Sequence, residues 1–296
     1  MAIKGTGRDG AADRRRAVDR SRGEGWDLSI VIPTSDDAQR IAMTLKRVAS
    51  FLSRSKMSAE VLIVDDGSHD AIAEVIGPWT HSFKRLRLVR SEVRKGLGAA
   101  ARSGLLLAEG RYVLLAEVGL AAPIEDAAVL LDSLQAGADI AIASRKLDGA
   151  FVRSQRPAGR RAAEAMYGMA ARMMVPLAAR DLFCGLLGFQ QGAARRIAER
   201  AKLERTTFAV EWIALAERMG LQMIECPVRF SHNAGSKDSL TWTDFVRLDD
   251  LWKVRSLIND ARTPMPQPPA KLLEETSFVR LDRPAFTAGK CGVGAR

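Results

Sequence analysis

Two acidic pairs stand where this 296-residue chain could hold a polar ligand. Val61-Leu-Ile-Val-Asp65-Asp66-Gly67-Ser68 is a branched apolar run that ends in two carboxylates and a turn, and Leu28-Ser-Ile-Val-Ile-Pro33-Thr34 is followed by Asp36 and Asp37. Carboxylates at the ends of buried strands accept hydrogen bonds from a base N–H or from ribose hydroxyls. The same residues also suit an ordinary strand-to-helix connection, with Asp66-Gly67 turning the chain and Ser68 or Asp70 capping the next helix. The segment by itself leaves both readings open. Other chemistries lack their signatures. His69, His81 and His232 are scattered without helical His-x-x-x-His spacing, Cys184, Cys226 and Cys291 form no paired motif, and no Gly-x-Ser-x-Gly elbow occurs.

The elements that must position the acids follow from apolar pattern. Leu28–Ile32, Val61–Val64, Leu86–Val89, Tyr112–Leu115 and Ile140–Ala143 are short, mostly branched runs that predict buried strands. Between them lie helical stretches at 38–52, 71–79, 98–108 and 123–134, so the alternation predicts an α/β chain with a mostly parallel sheet covered on both faces. From Arg156 the pattern changes to longer helical stretches at 160–174, 193–201 and 210–219, a strand at 222–230 and a last helix at 240–257. This half reads as a cap on the sheet. Residues 1–25 read as a disordered basic arm, 26–145 as a nucleotide-binding half, 146–261 as an acceptor half, and 262–296 as a weakly structured Pro-rich tail.

An ordered set of segments then resembles one family. Val31-Ile-Pro-Thr34, Ile63-Val-Asp-Asp-Gly-Ser-His-Asp70, Gly96-Leu-Gly-Ala-Ala-Ala-Arg-Ser-Gly104, Pro123-Ile-Glu125, Ser144-Arg145, Arg180-Asp-Leu-Phe-Cys-Gly185, Phe208-Ala-Val-Glu211, Cys226-Pro-Val-Arg229 and Gly235-Ser-Lys237 occur in sequence over about residues 28–256. Together they resemble the inverting family 2 glycosyltransferases of GT-A fold, and within them the polyprenyl (dolichyl) phosphate glucose and mannose synthases. The resemblance implies a Rossmann-like nucleotide-diphospho-sugar transferase fold. It implies that Pro33, Thr34, Asp37, Asp65, Asp66, Gly96 and Gly98 line the nucleotide pocket, and that Arg145, Arg229, Ser236 and Lys237 hold an acceptor phosphate. It also implies a UDP-glucose or GDP-mannose donor, with a lipid phosphate as acceptor.

The chain departs from the family pattern at the metal motif. The Asp-x-Asp expected after the fourth strand falls on Glu117-Val118-Gly119, and a glycine cannot ligate Mg2+ or Mn2+ through a side chain. Polar positions elsewhere are replaced by Ala209 and by Leu182-Phe183. Glu117 and Arg145 remain the candidate catalytic residues, with Glu117 the one candidate metal ligand and Lys95 a base near the diphosphate. These losses imply a weakened or metal-independent enzyme, or a noncatalytic relative acting through binding.

The formal net charge of +10 and sequence pI near 9.9 favour phosphate-bearing partners. With 6% aromatic residues and no recognised module, nucleic acid is not the expected one. Gly96-Leu-Gly-Ala-Ala-Ala101 superficially fits a dinucleotide fingerprint, but Ser91–Lys95 separates it from its strand and two strands precede it. No apolar run is long enough to span a bilayer. The expected location is cytoplasmic and peripheral on the inner membrane face, through the amphipathic stretch 239–255 or through Met166, Met169, Met173 and Met174 among Arg160, Arg161 and Arg172. For each stretch, ordinary core packing is the competing reading.

Overall fold

The computed structural model describes residues 25–175, 177–205, 207–232, 248–259 and 276–279. Among these residues ten strands run β1 Leu28–Thr34, β2 Ala59–Asp65, β3 Arg85–Ser91, β4 Tyr112–Ala116, β5 Ile140–Ser144, β6 Phe151–Ser154, β7 Leu186–Gln190, β8 Met223–Pro227, β9 Arg229–Ser231 and β10 Thr276–Val279. Helices are α1 Ala38–Arg54, α2 Ile72–Ile76, α3 Leu97–Leu107, α4 Ala127–Gln135, α5 Ala158–Met174, α6 Gln191–Ala198, α7 Phe208–Arg218 and α8 Leu248–Asn259.

The strands other than β6 and β9 form one eight-stranded sheet in the order β10-β3-β2-β1-β4-β7-β5-β8. The pairs β1–β2, β2–β3, β1–β4 and β5–β8 are parallel, whereas β7 runs antiparallel to both β4 and β5. Every residue of β1, β2 and β4 is buried, as expected for strands covered on both faces. One apolar layer joins Ile41, Leu45 and Val48 of α1 to Ile30 and Ile63, and the other joins Ala101 and Leu105 of α3 to Val31 and Val64. Along α1 the buried residues recur at helical spacing, so that helix stays on the sheet edge where β1 ends.

Three expectations need correction. The second half is more than a cap, because β7 and β8 enter the same sheet as β1. Its expected strand over 222–230 is broken at Val228 into β8 and β9, the latter pairing with β6 apart from the main sheet. Within the tail, 276–279 forms a strand antiparallel to β3. The last helix occupies Leu248–Asn259, and positions 240–247 of the expected helix lie outside the described residues. The basic arm also lies outside them, apart from Gly25.

A candidate donor site at the strand ends

The parallel register places Thr34 beside Asp65, and the Asp66 N–H donates to the Thr34 carbonyl at 2.9 Å. The two acidic connections are laced together. Asp36 accepts the His69 N–H at 2.7 Å and gives its own N–H to Ser68 Oγ at 2.8 Å. Asp70 accepts the Ala38 N–H at 2.8 Å, so it caps α1 across the sheet, while its own following helix has no side-chain cap.

Asp65 and Asp66, adjacent in sequence, differ in what they bind. Asp65 is fully buried; its Oδ1 takes the Ser68 N–H at 3.1 Å, and its Oδ2 lies 3.2 Å from Arg90 Nε without a hydrogen bond of proper geometry. Burial raises its carboxyl above the ordinary range, against the Ser68 bonds and the Arg90 charge. Val64, Asp65, Lys95, Arg102 and Ser103 line a small cavity of about 40 Å³. Asp66 instead accepts the N–H groups of Lys95 at 2.8 Å and Gly96 at 2.7 Å, which pins the loop ahead of α3.

At Gly96, φ is +126° and a Cβ would come within 2.3 Å of the Glu204 carbonyl oxygen; at Gly98 it would meet the Arg205 carbonyl oxygen at 2.6 Å. What these glycines admit is the protein's own segment 203–205, whose Glu204 carbonyl accepts the Gly98 N–H at 2.8 Å. That segment is held in turn by Glu211 of α7, which accepts the N–H groups of Lys202 at 2.7 Å and Leu203 at 2.9 Å.

Burial lifts the Glu211 carboxyl to about 7 from an ordinary 4.5, against those two bonds. Because the folded chain holds this proton more tightly than the unfolded one, the contribution is present below pH 4.5 and lost as pH rises to about 7. Denaturant titrations across that window are expected to show stability falling with pH, and Glu211→Gln is expected to remove that part of the slope. An unchanged slope in the variant contradicts the assignment.

A larger cavity of about 190 Å³ opens where β1 and β4 end, lined among others by Pro33, Asp37, Arg40, Glu117, Arg156 and Arg160. Asp37 pairs with Arg40 one helical turn on and accepts from Thr34 Oγ1 at 3.3 Å. Glu117 stands at the mouth of β4, its N–H on the Gly185 carbonyl at 3.2 Å. A Cβ at Gly185 would fall 2.5 Å from the Glu117 carboxyl carbon, so glycine there makes room for that side chain. Desolvation raises the Glu117 carboxyl, opposed by the charges of Arg156, Arg160, Arg145 and Arg40.

The residues do not fit a divalent cation. Gly119 turns the chain at φ +93° and has no side chain, Asp37 and Asp181 are tied to arginines, and no cluster of three or more His, Cys, Asp or Glu suited to a metal occurs among the described residues. Among the described residues Glu117 stands without a second free carboxylate beside it at this position.

Arg145 is held by the protein's own carboxylates. Its Nε and Nη2 each donate to Asp181 at 2.7 Å, its Nη2 reaches Glu164 at 3.4 Å, and its guanidinium stacks 4.9 Å over Phe230. Burial alone would lower the Arg145 pKa and raise that of Asp181; their mutual bonds outweigh it, holding Arg145 protonated and Asp181 below the usual carboxylate range. A guanidinium so engaged braces β5 against the 181–183 segment, and most of its donors are already used within the protein. Arg229 is exposed and forked onto Asp126 at 2.9 and 2.5 Å, which takes it out of the cavity wall. Ser236 and Lys237 lie outside the described residues.

Sequence reasoning missed the arginines of the cavity. Arg40 was legible as the residue three after Asp37 in the first turn of a helix. Arg156 was not, and Arg160 was read only as part of a membrane-facing stretch, since only the fold brings 156–160 against 117.

Comparison with known proteins accords with this geometry. The sequence profile described as Glycosyl transferase family 2 matches residues 29–198. A dolichyl-phosphate beta-glucosyltransferase of Drosophila melanogaster is 30% identical over 245 residues, covering 77% of this chain and 74% of that protein. The Saccharomyces cerevisiae protein of the same name is 28% identical over 254 residues, covering 77% and 74%. Among solved structures, glucosyl-3-phosphoglycerate synthase from Mycobacterium tuberculosis, in complex with Mn2+, UDP and glucosyl-3-phosphoglycerate, superposes with TM-score 0.57 at 15% identity over 80% of this chain and 82% of that one. A Pyrobaculum calidifontis mannosyltransferase in complex with GDP-Man and Mn2+ gives TM-score 0.54 at 16% identity, covering 85% and 69%. The fold is GT-A.

Proposed function

Because this chain belongs to glycosyl transferase family 2, we propose that it transfers glucose from UDP-glucose to a polyprenyl phosphate. The observation that carries the choice of sugar and acceptor is the 30% identity, over most of both chains, to a protein named for that transfer. The strand-end acids support the donor half. Asp65 borders a small cavity with Lys95 and Arg102, suited to a base and ribose, and Asp37 and Glu117 border the larger one, suited to the diphosphate and sugar.

The chemistry asks little of a general base. An acceptor phosphate is already anionic: its oxygen attacks the sugar C1, the bond from C1 to the UDP oxygen breaks, and UDP leaves with the electron pair. Positioning and charge neutralisation then supply most of the rate. The test is calorimetric titration with UDP-glucose and with GDP-mannose. Preferential binding of UDP-glucose is expected, and preference for GDP-mannose contradicts the assigned donor.

The acceptor side supports a lipid partner and a peripheral position on a membrane. Met166, Met169 and Met173 of α5 are 59%, 63% and 80% exposed and share one face. A groove of about 440 Å³ lies beside them, lined by Lys146, Arg172 and the Leu182–Phe183 wall that it shares with the donor-side cavity. In α8, by contrast, Leu251 and Val254 are buried core, leaving Trp252 outside. No described helix is long and apolar enough to cross a membrane. Replacing Met169 and Met173 together with glutamine is expected to weaken binding to anionic vesicles by about 10-fold, since apolar burial and charge both drive such contacts. Unchanged partitioning in a vesicle sedimentation assay contradicts this surface.

A further inference from the structure

The failure of the Asp-x-Asp position to suit a cation leaves the departing diphosphate in need of positive charge, and the cavity wall supplies it in another form. Arg40 comes from the first turn of α1, Arg156 from just before α5 and Arg160 from its first turn; all three line the cavity that holds Glu117. Arg156 is almost wholly buried, donating to the Phe183 carbonyl at 3.1 Å and lying 5.2 Å over Phe230. One carboxylate, Glu164, serves three guanidiniums at once: Arg145 at 3.4 Å, Arg160 at 3.2 Å, and Arg156. The charges of Arg156, Arg160 and Arg40, with that of Arg145, oppose the burial that raises the Glu117 carboxyl on the same wall.

We infer that Arg40, Arg156 and Arg160 take the place of a divalent ion at the donor diphosphate, so that nucleotide binding here is independent of metal. The inference rests on reading the cavity as the donor site. Guanidiniums suit a diphosphate because they stay charged, fork onto two phosphoryl oxygens, and when held in place by the protein need little reorganisation as charge develops on the leaving group. Arg156 is fixed by its carbonyl and ring contacts, whereas Arg40 can exchange Asp37 for a phosphoryl oxygen. The substitutions of the chain make sense together on this view, since Gly119 removes the cation-binding carboxylate while the arginines remain.

The experiment is titration of the full chain with UDP, in excess EDTA and again with Mn2+, followed by the same titrations of Arg40→Gln, Arg156→Gln and Arg160→Gln. The wild type is expected to bind UDP equally in both conditions, and the variants to bind about 10-fold more weakly, the loss of one charged hydrogen bond. Tightening of about 10-fold or more by Mn2+ in the wild type overturns the inference while leaving the donor reading intact. No UDP binding in either condition by the folded chain overturns both. If Arg156→Gln fails to fold, the wild-type comparison and Arg40→Gln still decide. A parallel titration with farnesyl phosphate separates the two sources of phosphate: variants that lose farnesyl phosphate but keep UDP would assign the arginines to the acceptor and overturn the inference.

Discussion

Asp65→Ala is expected to weaken UDP binding by on the order of 100-fold, the loss of a charge-assisted hydrogen bond in a water-poor site. The carboxylate lies at the buried end of β2, where Ser68 and Arg90 fix it from one side and the small cavity with Lys95 and Arg102 opens beside it. Its Oδ2 receives no well-aligned hydrogen bond from the described residues, which suits an atom waiting for a ligand donor. Asp65→Asn keeps the volume and one acceptor while losing the charge, and is expected to fall between wild type and alanine. A variant that folds and binds UDP with unchanged affinity removes the proposed base and ribose pocket.

Asp181→Ala carries the largest expected effect on stability, about 3–5 kcal/mol, because it strands a buried guanidinium. Arg145 is only 13% exposed and makes three of its hydrogen bonds to this one carboxylate. The pH dependence has a definite sign. The folded-state pKa of Asp181 is lowered, so its contribution is complete above the ordinary carboxylate range and disappears as pH falls through the lowered value. Urea titration of Asp181→Ala and Arg145→Ala measures both effects. If either variant unfolds at the wild-type urea concentration and loses transfer activity alone, Arg145 is a ligand for substrate rather than a strut.

The sheet and the strand-end acids were legible because their causes are local. Buried strands need branched apolar runs, and a parallel sheet ends its strands at one edge, so Asp65 and Asp37 could be placed from pattern alone. What stayed hidden depends on contacts remote in sequence. Ser144-Arg145 reads as a cation at a strand end until Asp181, 36 residues on, is seen to bind it. The glycines at 96 and 98 read as a ligand-facing loop until residues 203–205 are found packed on them. Strand β7, Leu-Leu-Gly-Phe-Gln, is short and follows a glycine, so nothing in its pattern announces an antiparallel insertion between β4 and β5. Leu182 and Phe183 were visible only as lost polar residues, and the structure gives them a place in the walls of both the Glu117 cavity and the methionine-lined groove.

The most direct measurement incubates the purified chain with UDP-[14C]glucose and a polyprenyl phosphate in mixed micelles, then counts label extracted into organic solvent. Time-dependent appearance of an acid-labile glucosyl lipid, in the presence of EDTA and abolished in Asp65→Ala, is the predicted result. Intact UDP-glucose and no labelled lipid, from a chain that binds both substrates, would contradict the account.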